Sequence, residues 1–199
     1  MIIQFSPIRS GSTLIYNYLL KLGKNISKQH NYRNISGNRY IITIRHPYNS
    51  IISSILRNGE NISDSSLIYH IKEYLKCGGN CIVNNNFDDS NHCVLIYENF
   101  LNDHDVILNS FESFFSEKYP HDLREELKSS LDINIIKKGI EKYKDFSEYD
   151  KINHFHGKHI SKYNGETDYK KILNSNQIKI LESNEILNKI INKFYKDND

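Results

Sequence analysis

The chain opens on a short β-branched run, Ile2-Ile3-Gln4-Phe5, that passes directly into Ser6-Pro7-Ile8-Arg9-Ser10-Gly11-Ser12-Thr13. Such a run, stopped by Ser-Pro, reads as a buried strand. Residues 13–22 then place Leu14, Ile15, Tyr18, Leu19 and Leu22 at offsets of three and four, an amphipathic helix, with Gly23 as its stop. A strand, a tight polar loop and a helix in immediate succession restrict the fold more than any other feature here. The loop N–H groups and the helix N-terminus converge on one point, which suits an anion. Gly11 lets the backbone come close to a phosphate. Ser10, Ser12 and Thr13 offer hydroxyls, and Arg9 a fixed positive charge. The G-x-x-x-x-G-K-[ST] pattern of a Walker A loop is absent. On its own the stretch also describes an ordinary helix capped by serine.

The remaining segments alternate. Residues 26–30 suggest a second strand. Residues 40–44 (YIITI) are apolar on both faces, as a central parallel strand requires. Pro47 suits the first turn of a helix running to about Arg57. A helix over 63–76 ends at Gly78-Gly79, residues 84–91 form a surface loop, and residues 92–97 (HCVLIY) are another buried strand. Helices follow at about 104–117, 121–130, 133–143 and 175–195, with a polar stretch at 146–171. Strands alternating with helices predict a three-layer α/β/α fold with a central parallel sheet, residues 1–199 forming one domain.

Composition narrows the partners. Ile, Asn, Lys, Tyr and Phe account for 98 of 199 residues, with no Ala and no Trp, a bias expected of an AT-rich genome. A net charge of +2, from 26 basic and 24 acidic side chains, excludes a basic nucleic-acid coat and an acidic tail. No segment approaches the roughly 20 apolar residues of a membrane helix. The N-terminal residues lack the basic and apolar regions of a signal peptide. Cys77, Cys81 and Cys93 make an odd count, which argues against a disulfide framework. A cytoplasmic protein with reduced thiols is therefore expected; the oligomeric state is left open.

A second motif sits at 41–54, "IITIRHPYNSIISS". An Arg at the C-terminal end of a strand, beside a helix N-terminus, is positioned to hold a phosphate at the ligand-binding edge of the sheet. "SPIRSGSTLIYNYL" resembles the 5′-phosphosulfate loop of sulfotransferases that use 3′-phosphoadenosine 5′-phosphosulfate (PAPS). "IITIRHPYNSIISS" resembles the 3′-phosphate motif of the same family, with Ser53 eight residues after Arg45 and His46 where the family has Asp or Asn. Weaker echoes follow. "SKQHNY" resembles a K-x-H segment and singles out Lys28 and His30. "VLIYENF" resembles a strand ending in Tyr-Glu, whose Tyr borders the adenine and falls on Tyr97. "KYNGETDYKKILNSNQ" resembles a loop in which Asp168, Tyr169, Lys170 and Gln177 take the Asp, Trp, Lys and Gln positions. Lys162 then falls on an Arg that touches the 3′-phosphate, although the glycines do not align.

The resemblance implies a P-loop NTPase-like sulfotransferase fold and transfer of a sulfuryl group from PAPS to a hydroxyl or amine, leaving 3′-phosphoadenosine 5′-phosphate (PAP). The acceptor would be a small molecule, glycan or lipid, with specificity in 58–92 and 120–160. Arg9, Ser10, Gly11, Ser12, Thr13, Arg45, Ser53, Tyr97 and Lys162 would bind the nucleotide. Arg9 and Lys28 would stabilise the leaving phosphate, and His30 would be the general base, since a neutral imidazole can take the acceptor's proton. Glu60 and Glu98 are the alternatives. A sulfuryl group carries less charge than a phosphoryl group, so no metal is expected. Competing readings are a P-loop kinase-like phosphotransferase and a non-catalytic nucleotide or sulfated-ligand binding module. Cys77 and Cys81 with His70 and His92 make a poor zinc set. His154, His156 and His159 could bind a metal, but read more simply as a loop over the nucleotide or acceptor that adds local positive character.

Overall fold

The structure is a computed structural model and describes residues 1–30, 32, 35–88, 90–143, 148–156 and 166–196. Four strands, β1 (Ile2–Phe5), β2 (Ile26–Gln29), β3 (Arg39–Ile44) and β4 (His92–Ile96), form one parallel sheet in the order β2-β1-β3-β4. Ile2 lies opposite both Ile26 and Arg39, and Tyr40 lies opposite His92. From β1 the chain moves first to one side and then to the other. The C-terminal ends of β1 and β3 therefore flank a crevice at the point where the strand order reverses.

The helices are α1 (Ser12–Lys21), α2 (Pro47–Asn58), α3 (Asp64–Tyr74), α4 (Asn80–Asn84), α5 (Tyr97–Phe100), α6 (Asp105–Phe115), α7 (His121–Ser130), α8 (Ile133–Ile140), α9 (Tyr169–Ile172), α10 (Ser175–Glu182) and α11 (Glu185–Phe194). Alternation along the strands divides them between two cores. Ile3, Phe5, Tyr40, Ile42 and Ile44 pack against Ile51, Ile52 and Ile55 of α2, Leu67 and Tyr74 of α3, Leu181 of α10 and Leu187 of α11. Ile2, Ile41 and Leu95 pack on the other face against Ile15, Tyr18 and Leu19 of α1, Ile107 and Phe111 of α6 and Leu127 of α7. Each fully buried side chain of this size contributes roughly 1.5–3 kcal/mol of transfer free energy. The expected three-layer arrangement follows, with helices on both sides of a parallel sheet.

The second face is not apolar throughout. Buried Gln4 Nε2 donates to Ser6 Oγ and Thr43 Oγ1, each at 3.4 Å, and Thr43 Oγ1 lies 3.3 Å from Ser10 Oγ. Ser10 Oγ also donates to the Pro7 carbonyl at 2.8 Å. This buried polar cluster ties the loop after β1 to the end of β3.

Two expected helices differ. The one over 175–195 is interrupted, because Asn184 turns its side chain to accept from Leu187 N and starts α11 afresh. The one over 63–76 ends in a wide turn, Leu75–Gly79, where Gly78 has φ 112. A Cβ there would come within 2.9 Å of Pro7 Cα, so this glycine allows α3 to end directly against the loop after β1.

Candidate functional site

The loop 6–11 leaves the C-terminal end of β1 at the crevice. Its turn needs left-handed backbone at Arg9 (φ 61) and Gly11 (φ 81). Arg9 is an uncommon residue there and is held by its surroundings. At Gly11 a Cβ would lie 2.7 Å from Tyr97 Cδ2 and 3.0 Å from Phe100 Cζ, so the position is closed to larger residues by packing as well as by φ. Gly11 provides no side-chain cap for α1, and the first turn of α1 has no acidic residue. The amide groups that begin this helix are thus not answered by a side chain at the cap, and the helix dipole adds positive potential.

Four cations surround that point. Arg45, at the end of β3 and 3% exposed, donates from Nη1 to the Arg9 carbonyl at 3.3 Å and lies 4.5 Å over the Tyr97 ring. Arg9 Nε donates to Ser53 Oγ at 3.2 Å. Lys28, at the end of β2, donates from Nζ to Thr13 Oγ1 at 2.6 Å. Arg57 reaches in from α2, one turn beyond Ser53. His30 follows β2 and lies 3.0 Å, through Nδ1, from the Ser6 carbonyl. A carbonyl only accepts, so Nδ1 carries the hydrogen, and the neutral ring keeps Nε2 as an acceptor.

Arg9, Lys28, His30, Arg45, Arg57 and Tyr97 line one cavity of about 270 Å³ with Gly11, Ser12 and Thr13. Leu101, Leu131, Ile133, Ile136 and Phe155 make its apolar wall. Among the described residues no Asp or Glu lines it. The cations therefore disturb one another. Burial, then Arg57 and Arg45, lowers Arg9 to about 10. Burial and Arg57 lower Lys28 to about 8. Burial also lowers Arg45, against the opposing pull of Tyr97, Glu98 and Tyr195. His154 and His156 line the same cavity; burial, Arg57, Arg9 and Lys28 lower His156 to about 4. His154 is lowered too, chiefly by burial. Both shifts favour the neutral form of these two imidazoles, while the guanidinium groups and Lys28 carry positive charge. His159 and Lys162 lie outside the described residues.

The residues singled out in the sequence take distinct positions. Arg9, Gly11, Ser12, Thr13, Lys28, His30, Arg45 and Tyr97 share the cavity. Ser10 and Ser53 are fully buried behind it: Ser10 holds the loop, and Ser53 braces Arg9. Glu98 accepts from His46 N at 3.0 Å and from Tyr195 Oη at 2.9 Å. Glu60 faces His70 at 3.2 Å. Neither lines the cavity, whereas His30 does. Tyr169 stacks on His46, with ring centroids 5.3 Å apart. Of the two segments expected to set specificity, 120–160 contributes Leu131, Ile133, Ile136 and Phe155, whereas Leu67, Tyr74, Ile82 and Phe87 of the other belong to the core on the far face. Sequence reading missed Arg57. The signal was available, because Ser53 and Arg57 are four residues apart on one helix and share a face.

No protein-family model matches the chain, and no curated protein matches it by sequence. Its fold is similar to a crystal structure of the mouse sulfotransferase SULT7A1 complexed with PAP. The TM-score is 0.61 at 11% sequence identity, over 97% of this chain and 84% of that one. The protein therefore has a sulfotransferase-like α/β fold, with a central parallel four-stranded sheet between helices.

Proposed function

We propose that the chain is a PAPS-dependent sulfotransferase acting on a hydroxyl or amine acceptor, with residues 1–199 as one catalytic domain. The observation that carries this reading is the cavity, where Arg9, Lys28, Arg45 and Arg57 gather around the uncapped start of α1 without a lining carboxylate among the described residues. Buried like charges are costly unless an anion compensates them. A nucleotide bearing phosphates at both its 5′ and 3′ positions is such an anion, and the donor set fits it.

The bound nucleotide would supply the sulfuryl group. The loop amides and α1 would hold the 5′-phosphate, with Lys28 and Arg9 meeting the charge that grows on its bridging oxygen. Arg45, oriented by the Arg9 carbonyl and the Tyr97 ring, would anchor the 3′-phosphate, so that binding at a distant group positions the sulfur. Ser53 would act at one remove, by fixing Arg9. His30 Nε2 would take the proton from the acceptor as its oxygen or nitrogen bonds to sulfur and the bond from sulfur to the 5′-phosphate oxygen breaks. Charge neutralisation comes from side chains and amides, so no step calls for a metal.

Calorimetry tests the binding half: PAP should bind without added metal, and equal affinity for AMP would overturn the 3′-phosphate assignment. Transfer of labelled sulfate from PAPS to a panel of small-molecule, glycan and lipid acceptors tests the chemistry. Binding of PAP with no transfer to any acceptor would favour a binding module, and a magnesium-dependent preference for ATP would favour a phosphotransferase.

A further inference from the structure

His104 lines the cavity, yet it belongs to neither loop motif and has no part in the chemistry above. It directly precedes α6. Its Nδ1 lies 2.8 Å from Tyr18 Oη, and the two rings meet edge-on at 5.6 Å between centroids. Tyr18 is fully buried in the core on the second face, and among the described residues His104 is the hydrogen-bond partner of its hydroxyl. A buried hydroxyl gives its hydrogen to an acceptor, so Tyr18 Oη–H donates to Nδ1. The hydrogen of the neutral ring then sits on Nε2. Burial lowers His104, against the pull of Asp132 and Asp103, which favours that neutral ring. Nε2 has no partner among the described residues, and the ring presents it to the cavity. His30 has the opposite sense: its Nδ1–H donates to the Ser6 carbonyl, and its Nε2 accepts.

The order of the sheet separates these two histidines. Across the strand ends, β2 carries Lys28 and leads to His30, β1 leads to the loop 6–11, β3 leads to Arg45, and β4 leads through Tyr97 and Leu101 to His104. Neighbouring strands lie about 4.8 Å apart, so β2 and β4 end about 14 Å from one another. A nucleotide with its 5′-phosphate at the start of α1 and its 3′-phosphate on Arg45 runs from β1 toward β3, away from His30. Its base then falls on the β4 side, where Leu101, Leu131, Ile133 and Ile136 offer apolar contact to the faces of a flat ring. Beyond this wall the charge reverses. Leu101, His104 and Ile133 also line an adjoining cavity of about 500 Å³, in which Asp103, Asp105, Asp132 and Glu166 outnumber Lys128. That end repels phosphate and leaves the space between to an uncharged group.

We propose that His104 reads the base of the nucleotide: its Nε2–H donates to a ring nitrogen of the adenine, and Tyr18 fixes the hydrogen there. This rests on the sulfotransferase reading and adds a specificity-determining side chain outside both loop motifs. Adenine suits such a donor, since its ring nitrogens accept hydrogen bonds and its faces are apolar. A base without an acceptor at that point would leave the donor buried and unpaired, which costs more than the bond itself contributes. Tyr18 touches no ligand and is a positioning residue.

The test is calorimetry on the full chain with PAP and its 1-deaza, 3-deaza and 7-deaza analogues, in each of which C–H replaces one ring nitrogen. One of the three should bind wild type about 5–10-fold more weakly than PAP. His104→Phe should weaken PAP by a similar factor and bind that analogue as well as it binds PAP. His104→Gln, which can restore an N–H donor, should recover part of the loss. Tyr18→Phe should narrow the gap between PAP and the analogue, because nothing then fixes the hydrogen on Nε2. Arg45→Ala should weaken PAP and all three analogues alike. Binding of all three analogues by wild type within about twofold of PAP, or the same gap persisting in His104→Phe, would overturn the assignment. If circular dichroism shows that His104→Phe does not fold, His104→Leu takes its place under the same criteria. A wild-type chain that does not bind PAP would instead overturn the nucleotide reading, and that outcome needs neither variant nor analogue.

Discussion

Basic side chains in this molecule meet two opposite environments. On α7, Arg124 lies 2.6 Å from Asp105 and 3.3 Å from Glu112, and Lys128 lies 2.9 Å from Asp105 and 2.6 Å from Glu125. Those contacts lower Asp105 and raise Lys128, as expected where each charge finds its opposite. Around the cavity the direction reverses. Arg9, Lys28, Arg45 and Arg57 are all lowered, with burial as the leading cause. The α7 cluster fastens helices to one another. The cavity cluster is buried at a cost, partly offset at Arg45 by Tyr97, Glu98 and Tyr195. Two groups with the same residue types are told apart by what surrounds them.

That contrast can be broken by measurement. The largest effect should come from His30→Ala, which removes the proposed base while leaving the cations in place: turnover should fall about 10²–10⁴-fold, with PAP affinity within about threefold of wild type. Unchanged turnover would put the base elsewhere. Arg45→Ala should weaken PAP about 100-fold, near 2.7 kcal/mol, since the group is buried and charged. An affinity unchanged within twofold would mean that the cavity cluster is structural, like that on α7.

Lys28 gives the contrast a pH signature. Its value of about 8 lies below the ordinary 10.5, so the folded free protein loses this proton at lower pH than an ordinary lysine would. PAP affinity should fall as pH rises above about 8, up to about tenfold per unit, and Lys28→Arg should flatten that slope. Stability of the free protein moves the other way. Between about 8 and 10.5 the unfolded chain binds more protons at this site than the folded one, so this term raises stability with pH. Thermal unfolding across that range, in wild type and Lys28→Arg, checks the sign. The smallest effect belongs to Arg124→Ala, which should move Tm by no more than about 4 °C, less still in high salt, and leave PAP affinity unchanged.

Much of this architecture is legible in local pattern. The run before Ser6, the alternation of strands and helices, and the Arg-His-Pro at 45–47 are short-range signals, and they lead to β1, α1, β3 and α2 as observed. Element ends are less legible. The break before α11 depends on Asn184 choosing a cap over a continued helix, and the turn at Gly78 depends on what lies against it. Site roles divide similarly. Ser10 and Ser12 look equivalent in the sequence, but Thr43 and Pro7 draw Ser10 inward while Ser12 reaches the cavity.

By itself, then, the sequence determined that a parallel sheet would present a glycine-containing polar loop and an arginine at neighbouring strand ends, because periodicity, glycine and proline act through backbone geometry within a few residues. It also singled out His30 as a candidate. The tertiary structure alone decided that Arg57 joins the cavity, that Ser53 stands behind Arg9, and that Leu67, Tyr74, Ile82 and Phe87 enter the core. It also decided which cations lack carboxylates along the described lining. Burial and Coulomb interactions depend on distances through space, and those distances join residues that are far apart in the chain.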